Sequence, residues 1–276
     1  MELYYLIIPG LIFLGSRLKY NIYSMSNIAI ILAGGMGKRM NKTIPKVIID
    51  FDNIPILVRI IMEVLKTKID KILLVVGKYK KQIQDVLIEY NLDNKVEYIL
   101  QNETLGTGHA VLCCRNRLLN FNDSNVLVLY GDTPLIQSNI INDLLNLDCK
   151  AVCVVSKKKN PHGCGRIVEE DGILKKIVEE KDCNEEERAI KKVNNGIYVF
   201  KNTLLCQYLP YINNNNKQNE YYLTDIIELL ITHEKMKIET YELKNNETYQ
   251  ALGVNTEEEL QSLLEIWRHV KSNRIS

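Results

Sequence analysis

Short runs of apolar, largely β-branched residues recur through the first half of the chain, and segments of helical length lie between them. The runs cover residues 28–32, 72–76, 126–129 and 151–155. Continuous apolar runs are typical of strands buried on both faces of a parallel sheet, and their alternation with helices indicates an α/β fold. We therefore predict a central, mainly parallel mixed sheet flanked by helices over residues 54–65, 78–90, 108–119 and 137–147. In such sheets, ligands bind at the carboxyl ends of the strands.

The second half of the chain contains shorter extended segments. Residues 165–167, 174–178 and 196–200 are separated by charged turns, which predicts a small β-rich lobe beside the main sheet. No long linker divides the two halves, so we predict one two-lobed domain over residues 26–255. Thr256 and Glu259 have the spacing of a capping box, which predicts a C-terminal helix over residues 256–276.

An apolar N-terminal extension precedes this domain and covers residues 1–25. Its first 15 residues contain a Pro-Gly pair, begin with Glu2 instead of a basic segment, and are shorter than a typical membrane span. The alternatives are a signal peptide or membrane anchor, an added packing segment, or a start site misread upstream of Met25. We expect no membrane association.

Composition restricts the classes of partner and the compartment. The 276 residues carry a net charge of +1, so we expect no binding to nucleic acid, and any phosphate site must be local. The seven cysteines include no CxxC pair, which argues against zinc and against a disulfide framework. Cys113, Cys114, Cys153 and Cys206 lie in apolar runs, and we predict reduced core cysteines in a cytoplasmic protein. Composition does not determine the oligomeric state.

The stretch IAIILAGGMGKRM, residues 28–40, leads an apolar strand into glycines and cations. It is not a standard P-loop, because Leu32 occupies the place of the first glycine and Arg39 follows Lys38. It is also a poor dinucleotide fingerprint, because Met40 occupies the place of the third glycine. Glycines with exposed backbone amides near Arg39 and Lys46 suit a polyphosphate. An ordinary strand-to-helix turn with solvated charges is the alternative.

Other polar segments also have two interpretations. Asp132 follows the strand at 126–129 and either caps a helix or binds Mg²⁺, which typically uses one or two protein carboxylates plus substrate phosphates. QNETLGTGHAV, residues 101–111, either reads the edge of a base or forms a glycine turn capped by Thr107. We interpret His109 as structural, because no nearby Ser or Cys requires a base. Polar segments at 160–167, 178–182, 193–200 and 219–225 suit either sugar hydroxyls or turns.

Eight motifs taken in order resemble one known family. It is the pyrophosphorylase part of the bacterial bifunctional N-acetylglucosamine-1-phosphate uridyltransferase/glucosamine-1-phosphate acetyltransferase family. The motifs are LAGGMGKRM with Pro45-Lys46, QNETLGTGHAV, VLYGDTPLI, NPHGCGRIV, IVEEKD, VNNGIYVF, NEYYLTDII and LGVN. The resemblance implies a Rossmann-like nucleotide-diphospho-sugar transferase fold. It also implies a nucleotidyltransferase domain over residues 26–255 that joins UTP to N-acetylglucosamine 1-phosphate with Mg²⁺ and releases pyrophosphate.

The same resemblance implies roles for individual residues. Arg39, Lys46 and Asp132 are the expected catalytic residues, and Asp132 and Asn255 are the expected Mg²⁺ ligands. Tyr130, Gly165, Glu179 and Asn194 are expected around the N-acetylglucosamine group. The expected nucleotide-binding residues are Leu32, Ala33, Gly34, Gly35, Gly37, Lys46, Gln101, Gly106 and Thr107. The sugar phosphate would then attack the α-phosphorus directly, since no protein nucleophile is evident.

The chain departs from that family's pattern at a few positions. Gly34, Met36 and Lys38 replace alanine, a basic residue and threonine, and Asn195 replaces threonine. These changes leave open a glucose-1-phosphate uridylyl- or thymidylyltransferase, and a catalytically silent nucleotide-sugar binding protein is a further alternative. No hexapeptide repeats follow Asn255, so we expect no acetyltransferase activity.

Overall fold

The computed structural model describes residues 26–35, 44–121 and 123–275. The predicted N-terminal extension, residues 1–25, lies outside the described residues. The strands are β1 Asn27–Leu32, β2 Asp50–Phe51, β3 Ile54–Pro55, β4 Lys71–Val76, β5 Glu97–Leu100, β6 Asn125–Tyr130, β7 Ala151–Lys157, β8 Arg166–Glu170, β9 Ile173–Val178, β10 Lys192–Lys201 and β11 Glu239–Glu242. The helices are α1 Ile56–Val64, α2 Lys80–Glu89, α3 Thr107–Leu112, α4 Arg115–Leu118, α5 Ser138–Leu145, α6 Glu185–Ala189, α7 Asn202–Tyr208, α8 Asp225–Glu234 and α9 Glu257–Ile275.

The central sheet has the strand order β11-β7-β10-β6-β1-β4-β5. β1 runs parallel to β4 and β6, and β4 runs parallel to β5. β10 is antiparallel to both β6 and β7. The prediction of a mixed, mainly parallel sheet is therefore confirmed, and the four apolar runs form β1, β4, β6 and β7.

Both faces of this sheet are buried. Ala29 and Ile31 of β1 face one apolar cluster, whereas Ile28 and Ile30 face a second cluster on the opposite side. Alternate residues of a strand point to opposite faces, so a strand covered on both sides must be apolar throughout. This is the physical reason why the central strands are recognisable in the sequence.

The small lobe is a hairpin of β8 and β9 that joins the main sheet where Arg166 pairs with Val193. Asp171 and Gly172 both have positive φ at its turn. The predicted extended segments at 165–167 and 174–178 are thus confirmed, and the segment at 196–200 is part of the longer strand β10.

Two helix predictions differ from the structure. The segment 108–119 forms two short helices, because the amide of Cys114 donates to Val111 O at 2.9 Å and tightens the turn between them. The segment 54–65 begins as a strand, since Ile54 pairs with Phe51 before α1 starts. Short edge strands β5 and β11 were not predicted.

The C-terminal helix α9 is capped at its start and contacts the domain through its second half. The amide of Glu259 donates to Thr256 Oγ1 at 3.2 Å, and the amide of Thr256 donates to Glu259 Oε2 at 3.3 Å. The predicted capping box is therefore present. Further along, Trp267 Nε1 donates to Asp52 Oδ2 at 2.8 Å. Within the described ranges, no helix is both long enough and apolar enough to cross a membrane.

The seven cysteines are free thiols. Cys114, Cys153 and Cys206 are buried, as predicted, whereas Cys113 is half-buried. The prediction that Cys113 is a core residue is therefore wrong in degree, because the break between α3 and α4 leaves its side chain at the edge of the core.

Candidate active site

A cavity of about 450 Å³ opens at the carboxyl ends of β1 and β6. Of the predicted nucleotide-binding residues, it is lined by Leu32, Gly34, Gly35, Lys46, Gln101, Gly106 and Thr107. Tyr130, predicted on the sugar side, and Asp132, predicted as a catalytic residue and metal ligand, line it as well. A larger surface groove of about 930 Å³ lies beside Trp267 and contains none of the predicted site residues. The cavity at the strand ends is therefore the candidate site.

The glycine loop begins directly after β1. The amide of Ala33 donates to Val75 O at 2.8 Å, which continues the parallel pairing beyond the end of the strand. A Cβ atom added to Gly34 would lie 2.8 Å from Gln101 Oε1, so the loop backbone and this amide side chain are in close approach. Gly37 and Arg39 lie outside the described residues, and their predicted roles stay predictions.

A tight turn brings Gly106 and Thr107 to the cavity. Gly106 has a φ of +109°, and a Cβ atom on it would lie 2.5 Å from Tyr221 O. The position therefore requires glycine for both conformation and space. The hydroxyl of Thr107 accepts a hydrogen bond from the amide of Leu223 at 3.1 Å. These contacts tie the start of α3 to the segment before α8.

Gln101 is buried, with 4% of its surface exposed. Its Nε2 donates to Gly106 O at 3.2 Å and lies 3.1 Å from His109 Nδ1. His109 therefore has a polar partner at the site, a contact that the sequence analysis did not name and that agrees with the structural role predicted for this residue. The available signal was its position eight residues after Gln101 in one motif.

Lys46, Asp132 and Asn255 converge although they are far apart in sequence. The ammonium of Lys46 forms an ion pair with Asp132 Oδ2 and donates to Asn255 Oδ1 at 2.9 Å. The amide of Val254 donates to Asp132 O at 2.9 Å, and the amide of Asn255 donates to Glu259 Oε2 at 2.6 Å. The capping residues of α9 thus position the amide oxygen of Asn255 opposite the carboxylate of Asp132.

This donor pair fits a magnesium ion. A carboxylate oxygen and an amide oxygen already surround one cation, the Lys46 ammonium, and both are hard oxygen ligands of the type Mg²⁺ prefers. No cluster of three or more His, Cys, Asp or Glu residues suited to a metal occurs in the described part of the chain. Any Mg²⁺ held here therefore needs oxygens from substrate or water to complete its coordination.

The predicted sugar-side residues form a second group next to the first. The amide of Asn194 donates to Gly165 O at 2.9 Å, and a Cβ atom on Gly165 would lie 3.6 Å from Glu179 Oε2. Asn194 Nδ2 donates to Tyr198 OH at 2.6 Å, which fixes the orientation of its side chain. Of the four predicted residues, only Tyr130 also lines the cavity at the strand ends.

Glu179 is held in place by a residue that the sequence analysis did not name. Thr224 Oγ1 donates to Glu179 Oε1 at 3.0 Å. Burial raises the pKa of Glu179 above its usual value, and the negative charges of Asp182 and Glu220 act in the same direction. Burial and nearby negative charge therefore destabilise the charged form of this carboxyl group. A neutral hydroxyl group is a more favourable neighbour for it than a second anion.

Arg166 is a further residue that sequence reasoning missed. Its side chain is 2% exposed, and Nη2 lies 2.6 Å from Glu180 Oε2, while Nη1 donates to Cys164 O. Glu180 also accepts a hydrogen bond from the amide of Gly163 at 3.1 Å. The pair therefore holds the loop before Gly165 against the end of β9, and the signal was an arginine at the start of a strand, directly before Ile167 and Val168.

The profile of one family, described as nucleotidyl transferase, matches residues 28–269. The chain belongs to the nucleotidyl transferase family. This nucleotidyl transferase is 39% identical over 236 residues to a probable UDP-N-acetylglucosamine pyrophosphorylase of Acanthamoeba polyphaga mimivirus, with 84% of this chain and 92% of that protein covered. It is 40% identical over 233 residues to the bifunctional protein GlmU of Acetivibrio thermocellus, with 83% of this chain but 49% of that protein covered.

Solved structures agree with the fold of this nucleotidyl transferase. It is similar to a UDP-glucose pyrophosphorylase complexed with UDP-glucose, with a TM-score of 0.68 and 19% identity over 89% of this chain and 99% of that one. It also matches a putative glucose-1-phosphate thymidylyltransferase from Bacillus anthracis, with a TM-score of 0.67 and 18% identity over 88% and 95% of the two chains. The expected Rossmann-like fold is confirmed.

Proposed function

We propose that this nucleotidyl transferase is a UDP-N-acetylglucosamine pyrophosphorylase, which converts UTP and N-acetylglucosamine 1-phosphate to UDP-N-acetylglucosamine and pyrophosphate. The observation that carries the proposal is the convergence of Lys46, Asp132 and Asn255 beside a glycine loop. A protein that only binds nucleotide sugars does not need this charged centre. The name of the mimiviral relative, which aligns over most of both chains, supports the choice of sugar and base.

The charged centre explains how the reaction becomes possible. A sugar phosphate and a nucleoside triphosphate repel each other, so the enzyme must offset negative charge that increases in the transition state. Asp132 and Asn255 would hold Mg²⁺, which neutralises phosphate charge and polarises the phosphoryl oxygens when it is bound. The ammonium of Lys46 contacts both of these residues. Once Mg²⁺ is held there, the ammonium would bind a phosphate oxygen instead. Arg39 would add a second cation.

The remaining residues position the two substrates. The sugar phosphate oxygen attacks the α-phosphorus in line while the bond to pyrophosphate breaks, so no covalent enzyme intermediate is required. Gln101 and Thr107 line the cavity on the base side. On the sugar side, the carboxyl group of Glu179 accepts from hydroxyl groups, and Asn194 and Gly165 form the adjoining wall. We also assign the reaction to the cytoplasm, on the basis of the seven free thiols.

The deciding experiment measures pyrophosphate release by the full chain in Mg²⁺. The reference reaction contains UTP and N-acetylglucosamine 1-phosphate. In parallel reactions, glucose 1-phosphate replaces the sugar phosphate, or dTTP replaces UTP. Rapid release with the first pair alone supports the proposal. Faster release with glucose 1-phosphate or dTTP keeps the mechanism and rejects the assigned specificity. Nucleotide binding without release in any pair supports a silent binding protein instead.

A matched pair of variants tests whether the charged centre is responsible. Asp132→Asn preserves size and removes the carboxylate, and Asp148→Asn makes the same change at an exposed position away from the cavity. We expect the first variant alone to lose activity. Equal activity of both variants contradicts the role given to Asp132.

A further inference from the structure

We propose that the surface groove beside Trp267 binds the apolar N-terminal segment of the same chain, residues 3–14, so that this segment packs onto the domain instead of entering a membrane. The segment has the sequence LYYLIIPGLIFL and contains no charged side chain. Neither the substrates nor the reaction of the cavity at the strand ends enters into this contact.

The groove exposes apolar side chains that the domain does not cover. It has a volume of about 930 Å³ and lies between α1, the start of α5 and Trp267 of α9. Met62 and Leu65 of α1 line it and are 37% and 41% exposed. They are three positions apart, so they lie on the same face of the helix. A concave apolar surface rimmed by polar side chains is typical of an interaction site.

The charged side chains of the groove already have partners in the domain. Arg59 Nε donates to Pro134 O at 3.4 Å, and the guanidinium lies over the ring of Trp267. Glu63 forms an ion pair with Lys66 at 2.5 Å and also accepts a backbone amide of α5 at 2.9 Å. Since these charges are compensated, the groove gives an anionic ligand little to bind. Its uncovered apolar side chains favour an uncharged apolar occupant.

The chain enters the domain close to one end of this groove. Asn27 Nδ2 donates to Lys68 O at 2.9 Å. Lys68 follows Leu65 by three residues, a span of at most about 11 Å. Residues 15–26 can span about 40 Å when they are extended. The connection is therefore long enough for residues 3–14 to reach the groove of their own chain.

The competing occupants are a second copy of the chain for the groove and a lipid bilayer for the segment. A short connection gives the segment an effective concentration on the order of millimolar at its own groove, which favours binding within one chain. Residues 3–14 also form a shorter stretch than the about 20 apolar residues that span a bilayer, and a Pro-Gly pair interrupts them. Packing within the same chain is therefore the occupant that we assign.

Photo-cross-linking on the full chain tests this contact. An amino acid with a benzophenone side chain replaces either Leu65 in the groove or Ile173 at the start of β9, which is 42% exposed and lies outside the groove. After irradiation, denaturing electrophoresis separates single from joined chains, and mass spectrometry identifies the joined peptides. We expect position 65 to join residues 3–14 of its own chain, and position 173 to give no such product.

A matched pair of full-length variants tests the apolar character of the contact. Ile7→Asp combined with Ile8→Asp should lose most of the product from position 65, because charged side chains are costly to bury against an apolar surface. Asn21→Asp introduces the same charged side chain in the connection and should keep the product.

Four outcomes would overturn the inference. The first is a product from position 65 that joins two chains, which assigns the groove to a second copy. The second is the absence of any product with residues 3–14. The third is an equal yield from positions 65 and 173. The fourth is flotation of the full chain with vesicles of phosphatidylcholine and phosphatidylglycerol, which assigns the segment to a lipid surface. If the replacement of Leu65 prevents folding, Met62 in the same groove carries the benzophenone group.

Discussion

Asp225 is the first residue of α8 and shares a cavity of about 370 Å³ with three other carboxylates, Glu179, Asp182 and Glu228. Burial raises its pKa from 3.8 to about 6, and the charges of Glu179, Glu228 and Asp182 contribute in the same direction. The substitution Asp225→Asn keeps the shape of the side chain and removes the charge. We predict that this variant is more stable than wild type at neutral pH.

The size of the effect follows from the shift in pKa. A rise of about two units corresponds to about 3 kcal/mol, since each unit is worth about 1.4 kcal/mol. The native state binds the Asp225 proton more tightly than the unfolded chain, so the free energy of unfolding falls as pH rises from about 4 to about 6. The loss is complete above the folded pKa. The helix N-terminus favours the charge by about 0.3–1 kcal/mol, which reduces the expected gain to about 2–3 kcal/mol.

The assay is urea unfolding followed by circular dichroism at several pH values. The variant should match wild type near pH 4 and exceed it by about 2–3 kcal/mol at pH 7–8, within the error of linear extrapolation. Asp148→Asn, at an exposed position, is the control and should follow wild type at every pH. A difference between Asp225→Asn and wild type that is constant from pH 4 to pH 8 would refute the reasoning.

Three further substitutions test other parts of the structure. Gly196 has a φ of +70°, and an added Cβ would lie 2.1 Å from the ring of Tyr130. Gly196→Ala should therefore lower the free energy of unfolding, measured in urea, by at least about 1–3 kcal/mol. A change below about 0.5 kcal/mol would exclude the predicted clash. Asp132→Asn should reduce kcat by about 10²–10³ with an unchanged circular dichroism spectrum, and an unfolded variant would instead make the carboxylate structural. Trp267→Phe removes the hydrogen bond to Asp52 and should cost about 1 kcal/mol in denaturant unfolding, whereas no loss would show that this contact does not stabilise α9.

The central strands and the glycine loop were predictable because their causes are local. Strands covered on both faces must be apolar at every position, and β1, β4, β6 and β7 have that pattern. The loop after β1 was recognisable because paired glycines and cations directly follow an apolar strand in the sequence. The edge strands β5 and β11 were missed because their outer positions are partly exposed and give no continuous apolar run.

The amino-acid sequence by itself therefore determined the α/β class, the order of the motifs and the candidate residues. Only the tertiary structure decided which of those residues meet. Lys46 and Asn255 are 209 positions apart, yet they contact at 2.9 Å because the start of α9 returns to the end of β6. The contact between Gln101 and His109 depends in the same way on how a turn packs against its neighbours. Side-chain periodicity encodes burial one element at a time, whereas the geometry of a site depends on contacts between elements that are distant in the chain.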